Sequence, residues 1–209
     1  MDGIRRRIRD GVYSPGQRLI EADLTRVLGV SRGPLREAMS RLAAEGLLKL
    51  EPNRMTVRAL TRDEVRGISA IRELLEGLAA RVAAERVAAG TRPEKFKRVW
   101  DEMSQIAVRS NTSAYVEANQ RFHEGIVQLS GNPALEKLID QLSTPLYRFQ
   151  FRSRLTAERL KRGHDDHVEV ARAILAGDPG SAERFMRKHL RNSAKLILSL
   201  PDDAFGLTP

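Results

Sequence analysis

The sequence contains no cysteine, and this absence excludes disulfide bonds, thiol redox chemistry, cysteine nucleophiles and every cysteine-based zinc motif. It also lacks any stretch approaching the roughly 18 uninterrupted apolar residues of a membrane-spanning helix. The first ten residues, MDGIRRRIRD, have no apolar run after their charges, which argues against a secretory signal. We therefore expect a cytoplasmic protein without a membrane segment.

Charge is unevenly spread along the 209 residues, a length that corresponds to one or two domains. Residues 1–60 hold 12 basic and 7 acidic groups, a net charge of +5, and the other 149 residues share the remaining +4 of the formal +9. A basic excess attracts nucleic-acid phosphates or other anionic surfaces. A charged face that only keeps the protein in solution is the alternative interpretation.

The first 60 residues have the pattern of a winged helix-turn-helix domain. Two short segments with apolar residues at helical spacing come first, and the second of them ends at Gly29. A third helix begins after the potential cap Ser31 and ends at Gly46. Segments 47–51 and 56–60, separated by a short sequence with proline and asparagine, predict a small hairpin that would form the wing.

Residues 61–200 favour a second, all-helical domain, and residues 201–209 are assigned to a tail. Thr61 and Glu64 have the spacing of a capping box, so a long helix should begin there. Glycine, asparagine and proline interruptions divide this region into six helices, predicted at 63–89, 93–109, 112–129, 133–153, 157–176 and 179–199. The expected fold is mostly α, with an N-terminal winged helix-turn-helix and a C-terminal antiparallel helical bundle.

The third predicted helix has a surface suited to reading DNA bases. Its apolar residues recur on one side, and Arg32, Arg36 and Ser40 share another face at intervals of four residues. A guanidinium group matches the paired acceptors that guanine presents in the major groove. An ordinary solvated basic face is the alternative.

Several motifs lie at fixed spacing in the segment PGQRLIEADLTRVLGVSRGPLREAMSRLAAEGLL, namely the Pro15-Gly16 turn, Gly29-Val30-Ser31-Arg32, Arg36-Glu37-Ala38 and Glu45-Gly46-Leu47. With them, residues 4–60 resemble the winged helix-turn-helix of the GntR transcriptional regulators. The resemblance implies that Arg32 and Arg36 contact DNA, together with Ser31 and Gly33 at the same helix start and Arg54 on the wing.

Two positions depart from that family's pattern. Ala22 stands where an arginine is frequent, and Met55 follows Asn53-Arg54 where glycine is usual. We therefore expect an operator sequence that differs from the family norm.

Three of the four histidines have positions that predict a common site. Asn119 and His123 lie four residues apart, so their side chains share a helix face. His167 and His189 each lie 11 residues from the centre of the turn between their helices, which places both about 16 Å along a helical hairpin. Three imidazoles and an amide oxygen suit zinc or nickel better than calcium or magnesium. Hydrogen-bonded core histidines, or a pairing of His164 with His167, are the alternatives.

Further motifs accompany these histidines, namely Arg72-x-x-x-Glu76, Asn119-x-x-x-His123, Gly131-Asn132, His167 and the stretch from Asp178 to His189. With them, residues 63–199 resemble the FCD ligand-binding domain, in the shorter VanR-like form with six helices. The resemblance implies a metal ion in the bundle, bound by Asn119, His123, His167 and His189, and a small organic acid as effector.

The effector of such a domain would carry a carboxylate. Arg72 is the candidate clamp, because a guanidinium group pairs with a carboxylate through two hydrogen bonds. An ion pair with Glu76 on the same helix is the alternative for Arg72. Arg148 and Arg152, four residues apart on the fourth predicted bundle helix, are a second candidate pair.

Together these patterns predict a metabolite-responsive, sequence-specific transcriptional regulator. We expect a homodimer on a palindromic operator in double-stranded DNA, acting as a repressor that a small carboxylic acid releases by binding near the metal. The alternatives are a metal-dependent hydrolytic enzyme that uses the histidines and a non-specific DNA-compacting protein. An enzyme is disfavoured because the sequence has no His-Glu-x-x-His motif and has Gln120, not glutamate, three residues before His123.

Overall fold

The structure is a computed structural model that describes residues 2–9, 11–52, 54–108, 112–142, 150–151 and 156–205. The predicted mostly α fold, with a winged helix-turn-helix followed by a helical bundle, is confirmed. In chain order the elements are α1 (Asp2–Arg9), α2 (Glu21–Leu28), α3 (Arg32–Ala44), β1 (Leu48–Glu51), β2 (Arg54–Val57), α4 (Arg62–Ala88), α5 (Glu94–Val108), α6 (Thr112–Ser130), α7 (Pro133–Leu142), α8 (Ala157–Leu175) and α9 (Pro179–Leu198). A 3₁₀ turn follows at Asp202–Phe205.

The winged helix-turn-helix forms because each short helix and the hairpin bury one apolar face. The buried side chains include Ile4, Ile8, Leu24, Leu35, Met39, Leu42, Leu47 and Val57. Gly29 ends α2 with a φ of 64°, a left-handed conformation that glycine adopts without strain. The hairpin is antiparallel and pairs Glu51 with Arg54. The second strand, Arg54–Val57, thus begins two residues before the predicted segment 56–60 and ends three residues before that segment does.

Two compact units divide the described chain. Unit 1 consists of the residues up to Val65 together with 150–151 and 199–205. Unit 2 consists of the described residues within 66–142 and 156–198. Helix α4 begins in unit 1 and continues into unit 2, so the two units share an unbroken helix.

A buried glutamine holds three chain segments of unit 1 together. The Gln150 amide donates hydrogen bonds to the backbone carbonyls of Leu60 at 3.0 Å and Ala204 at 2.9 Å. Its carbonyl oxygen accepts a bond from the Leu60 backbone N–H at 2.7 Å. Phe205 is buried and packs on Phe151, with ring centroids 5.4 Å apart. The segment 201–209, assigned to a tail from the sequence, therefore includes a folded turn at Asp202–Phe205.

Unit 2 is a bundle in which small residues of α4 pack against large residues of the other helices. Small side chains allow close approach between helix axes. The fully buried alanines of α4 are Ala79, Ala80, Ala83 and Ala84, and the large core residues include Met103, Phe122, Ile174 and Met186. Within the described residues, no helix is long and apolar enough to span a membrane.

Five of the six predicted bundle helices have bounds within one residue of those observed. The fourth was predicted at 133–153, and the structure describes it as α7, which ends at Leu142. The remainder of that prediction falls largely on residues 143–149 and 152–153, which lie outside the described residues.

Candidate metal centre and nucleic-acid interface

Three helices of unit 2 position three histidines. His123 lies on α6, His167 on α8 and His189 on α9. Helices α8 and α9 meet at a tight turn in which Gly177 has a φ of 65° and the Asp178 carboxylate accepts a bond from the Ser181 backbone N–H. Because His167 and His189 lie at equal sequence distance from this turn, the two side chains reach the same level of the hairpin.

The three imidazoles meet through the same ring nitrogen. His167 Nε2 lies 3.0 Å from His189 Nε2 and 3.4 Å from His123 Nε2. Two nitrogens that bind one ion at about 2.1 Å are separated by about 3.0 Å at a right angle and about 3.4 Å at a tetrahedral angle. The observed distances match these values, so the cluster fits a metal ion such as zinc or nickel.

Burial keeps two of these histidines in the form that binds metals. His167 is 2% exposed and His189 is 7% exposed. Burial, reinforced by the neighbouring histidines, lowers the pKa of His167 well below its usual value. Burial and the proximity of His123 and Arg72, only partly offset by Glu76, lower the pKa of His189 to about 3. Both rings are neutral near pH 7, and a neutral ring offers an unprotonated nitrogen to an ion.

The opposite ring nitrogens have different environments. His123 Nδ1 lies 2.6 Å from Glu76 Oε2, and His167 Nδ1 lies 3.2 Å from the Tyr115 hydroxyl. His189 Nδ1 is buried and has no hydrogen-bond partner among the described residues, since the nearest carboxylate oxygen, Asp166 Oδ2, is 3.9 Å away. Partners of this kind orient metal-bound histidines and fix their tautomers.

Glu76 and Tyr115 are contributors that the sequence analysis missed. The sequence presents Glu76 as a partner for Arg72, because spacing within one helix gives no indication of a contact with His123, 47 positions away. Tyr115 carried a usable signal, since it precedes Asn119 and His123 at intervals of four on the same face of α6.

The other residues that the sequence predicted to bind the metal or the effector differ in where the structure places them. Asn119 is partly buried one helical turn before His123, and its role as a fourth ligand stays a prediction. Arg72 makes the ion pair with Glu76 at 2.7 Å that was considered as its alternative, so its role toward an effector also stays a prediction. His164 stacks on Trp100 and is not part of the cluster. Arg148 and Arg152 lie outside the described residues.

The nucleic-acid candidates lie on the surface of unit 1. Ser31, Arg32, Gly33 and Arg36, at the start of α3, are exposed, as is Arg54 at the start of β2. Ser31 occupies the N-cap position with extended backbone, but its hydroxyl makes no capping hydrogen bond, contrary to the prediction. A solvent-exposed helix start tolerates this because water can satisfy its backbone N–H groups.

Two further contacts affect this surface. The Arg36 Nε donates hydrogen bonds to both carboxylate oxygens of Glu21 on α2, at 3.0 and 3.2 Å. The hydrogen bond and charge of Glu21 raise the pKa of Arg36.

Met55, which departs from the family pattern at the wing, is buried and pairs with Leu50 across the hairpin. Its side chain is therefore part of the apolar face of the hairpin.

Comparisons with known proteins cover both units. The family described as bacterial regulatory proteins, gntR family, matches residues 1–59, and the FCD domain matches residues 67–192. The uncharacterized HTH-type transcriptional regulator YdhC of Bacillus subtilis is 31% identical over 67% of this chain, a match that spans 63% of YdhC. The HTH-type transcriptional repressor RspR of Escherichia coli is 25% identical over 93% of this chain and 85% of that protein. The structure of E. coli McbR/YncC has a fold similar to this chain, with a TM-score of 0.71, 21% identity and 93% coverage of both chains.

Proposed function

Because this chain belongs to the GntR family of bacterial regulatory proteins, carries an FCD domain and is a DNA-binding transcriptional regulator, we propose that it is a repressor released by a small organic acid. The name of its relative RspR, a transcriptional repressor, supports this direction of regulation. The observation that carries the proposal is the convergence of three histidines in unit 2, two of them buried, in a chain whose unit 1 exposes a helix start that bears arginines. Coupling between effector and operator would be about 1–3 kcal/mol.

The function is tested by selecting operators from random DNA with the purified full chain. We expect a palindromic sequence whose binding survives an excess of genomic DNA, since specific binding typically exceeds non-specific binding by about 10³–10⁷-fold. A panel of small carboxylic acids should then contain a compound that weakens the complex. Equal competition by genomic DNA would instead support a DNA-compacting protein.

The proposed metal ion is zinc or nickel, bound by His123, His167 and His189 and by Asn119 as the oxygen donor. Asn119 is uncharged, so the site would leave the ion more positive than one with an aspartate. Such an ion would supply a Lewis-acidic position that attracts a carboxylate. Metal analysis of the purified chain should give close to one ion per protein chain.

The proposed effector clamp is Arg72. Its side chain is mostly buried and lies one helical turn from Glu76, which in turn contacts the histidine cluster. An effector carboxylate would compete with Glu76 for the same guanidinium group. Arg148 and Arg152 remain proposed as a second pair, outside the described residues.

The proposed DNA contacts are those at the start of α3 and on the wing. Arg32 and Arg36 would read base edges in the major groove, with Ser31 and Gly33 beside them. Arg54 would approach the backbone or minor groove from β2. The exposed guanidinium group of Arg36 also pairs with the carboxylate of Glu21, at 3.0 Å.

The proposed homodimer rests on an apolar stripe of α4. Ile71, Leu74 and Leu78 recur on one face of this helix and are 48%, 57% and 43% exposed. A two-fold dimer would cover this stripe with a second copy and double the length of DNA read. We expect a dimer mass by light scattering of the full chain at micromolar concentration and a monomer mass for Leu74→Glu. A monomeric wild type would contradict the proposal.

A further inference from the structure

The carboxylate of Glu76 connects an arginine to the histidine cluster inside unit 2. The side chain is 2% exposed. Its Oε1 accepts a hydrogen bond from Arg72 Nε at 2.7 Å, and its Oε2 lies 2.6 Å from His123 Nδ1. The guanidinium group of Arg72 is always charged, so its ion pair at 2.7 Å favours the ionised form of this buried carboxylate.

The chemistry of this contact determines the tautomer of His123. An ionised carboxylate can only accept hydrogen bonds, so the Nδ1 of His123 must carry the proton that lies between the two groups. In the neutral ring, Nε2 is then the unprotonated nitrogen. That nitrogen is the one directed at His167.

No other carboxylate within the described parts of the chain supports the cluster in this way. Asp166 Oδ2 is 3.9 Å from His189 Nδ1, and its hydrogen bond is with Asn192. The partner of His167 is the neutral hydroxyl of Tyr115. His123 is therefore the histidine whose orientation depends on a charged partner.

We propose that Glu76 is a positioning residue of the metal centre, which orients His123 and fixes its Nδ1–H tautomer while Arg72 holds Glu76 in place. This inference rests on the proposed metal site. It assigns a role in metal binding to a residue that lies one hydrogen bond outside the histidine cluster. Partners of this kind change metal affinity by about 10–100-fold when they are removed.

Glu76→Gln is an informative substitution because Arg72 remains a donor. The glutamine oxygen has to face Arg72, so its NH₂ group faces His123 Nδ1 and can only donate to it. His123 would then carry its proton on Nε2, where it blocks the metal. We expect zinc affinity of the full chain, measured by chelator competition, to fall about 10–100-fold.

A second readout needs no metal. Nitrogen-15 NMR of the metal-free full chain reports which nitrogen of each histidine is protonated. We expect His123 to be protonated at Nδ1 in the wild type and at Nε2 in Glu76→Gln. A residue that acted only by stabilising the fold would not exchange the tautomer.

Two further variants complete the test. Glu73→Gln is the matched control, because Glu73 is a mostly buried carboxylate of the same helix that pairs with Arg187 and Arg191. This substitution should leave zinc affinity unchanged. Glu76→Asp preserves the charge beside Arg72 but shortens the reach toward His123, so zinc affinity should fall even if Glu76→Gln does not fold.

The outcomes distinguish a failure of the proposed metal site from a failure of the positioning role of Glu76. A wild type that binds no zinc or nickel would overturn the proposed metal site and this inference with it. A wild type that binds metal, with Glu76→Gln or Glu76→Asp binding it equally well, would overturn only the positioning role. Unchanged His123 nitrogen shifts in Glu76→Gln would do the same.

Discussion

The two units place their candidate functional side chains in opposite environments. In unit 1 the residues at the start of α3 are exposed, and the contact that orients Arg36 is an ion pair at the surface. In unit 2 Glu76, His167 and His189 are buried, His123 is partly buried, and these side chains are bonded to one another. Surface ion pairs contribute roughly 0–1 kcal/mol, whereas loss of one member of a buried polar network leaves the others unsatisfied. Substitutions of the candidate DNA-binding residues should therefore affect binding alone, and those of the histidines or Glu76 should affect binding and packing together.

The largest effect is expected for His189→Ala in unit 2. This change removes a buried imidazole whose Nε2 lies 3.0 Å from His167 Nε2. Metal content of the purified chain should fall from close to one ion to a small fraction, a larger loss than the roughly 10–100-fold expected for outer partners. Binding of the effector should weaken in parallel. His164→Ala, outside the cluster, is the control, and a mutant that retained both metal and effector would return the histidines to the role of polar core residues.

Phe205→Ala tests whether unit 1 also contains buried side chains whose truncation lowers the stability of the fold. The ring is 2% exposed, packs on Phe151 and lies 4.2 Å below the guanidinium group of Arg62. Truncation of a buried phenylalanine costs about 3–5 kcal/mol of unfolding free energy. Urea denaturation of the full chain should show this loss, with Leu50→Ala, a 47% exposed residue of β1, as a near-neutral control. Equal stability of the two variants would show that the C-terminal turn is not part of the unit 1 core.

Features that depend on neighbouring residues, such as the ends of the helices, were predicted well from the sequence. Five bundle helices were placed within one residue, because glycine turns, proline and the Thr61–Glu64 capping box act over a few positions, and the structure contains both bonds of that box. The equal offsets of His167 and His189 from one turn predicted their meeting by simple geometry.

Contacts between distant segments were not predictable in this way. Gln150 bonds to backbone groups 90 and 54 positions away, and a polar residue with apolar neighbours gives no periodic signal of such a role. The contact between Glu76 and His123 joins α4 to α6, and each residue looks ordinary on its own helix. Pairings of this kind depend on how the helices pack, which composition and periodicity leave undetermined.

Arg36→Ala should affect DNA binding without affecting the fold. The side chain is exposed, and the buried face of α3 is formed by Leu35, Met39 and Leu42. Operator affinity at fixed salt should fall by about 1–3 kcal/mol, the cost of losing a base contact. Arg41→Ala, near the end of the same helix, removes an arginine paired with Glu37 and should have a smaller effect. Wild-type operator affinity in Arg36→Ala would refute the assignment of α3 as the recognition helix.

Ser31→Ala has the smallest expected effect. It tests whether a residue of the exposed site in unit 1 affects DNA binding without affecting stability. Replacing an N-cap serine usually costs about 0.5–2 kcal/mol of stability, because its hydroxyl satisfies a backbone N–H of the helix. Here the hydroxyl makes no such bond and the site is exposed, so the unfolding free energy should stay within about 0.5 kcal/mol of wild type. Operator affinity should nevertheless fall by about 0.5–1.5 kcal/mol if the hydroxyl bonds to DNA, the net contribution of one neutral hydrogen bond. Thermal unfolding and operator titration of the same preparation measure the two quantities. A loss of stability equal to the usual cap penalty, with unchanged DNA affinity, would reverse the assignment and make Ser31 a structural residue of unit 1.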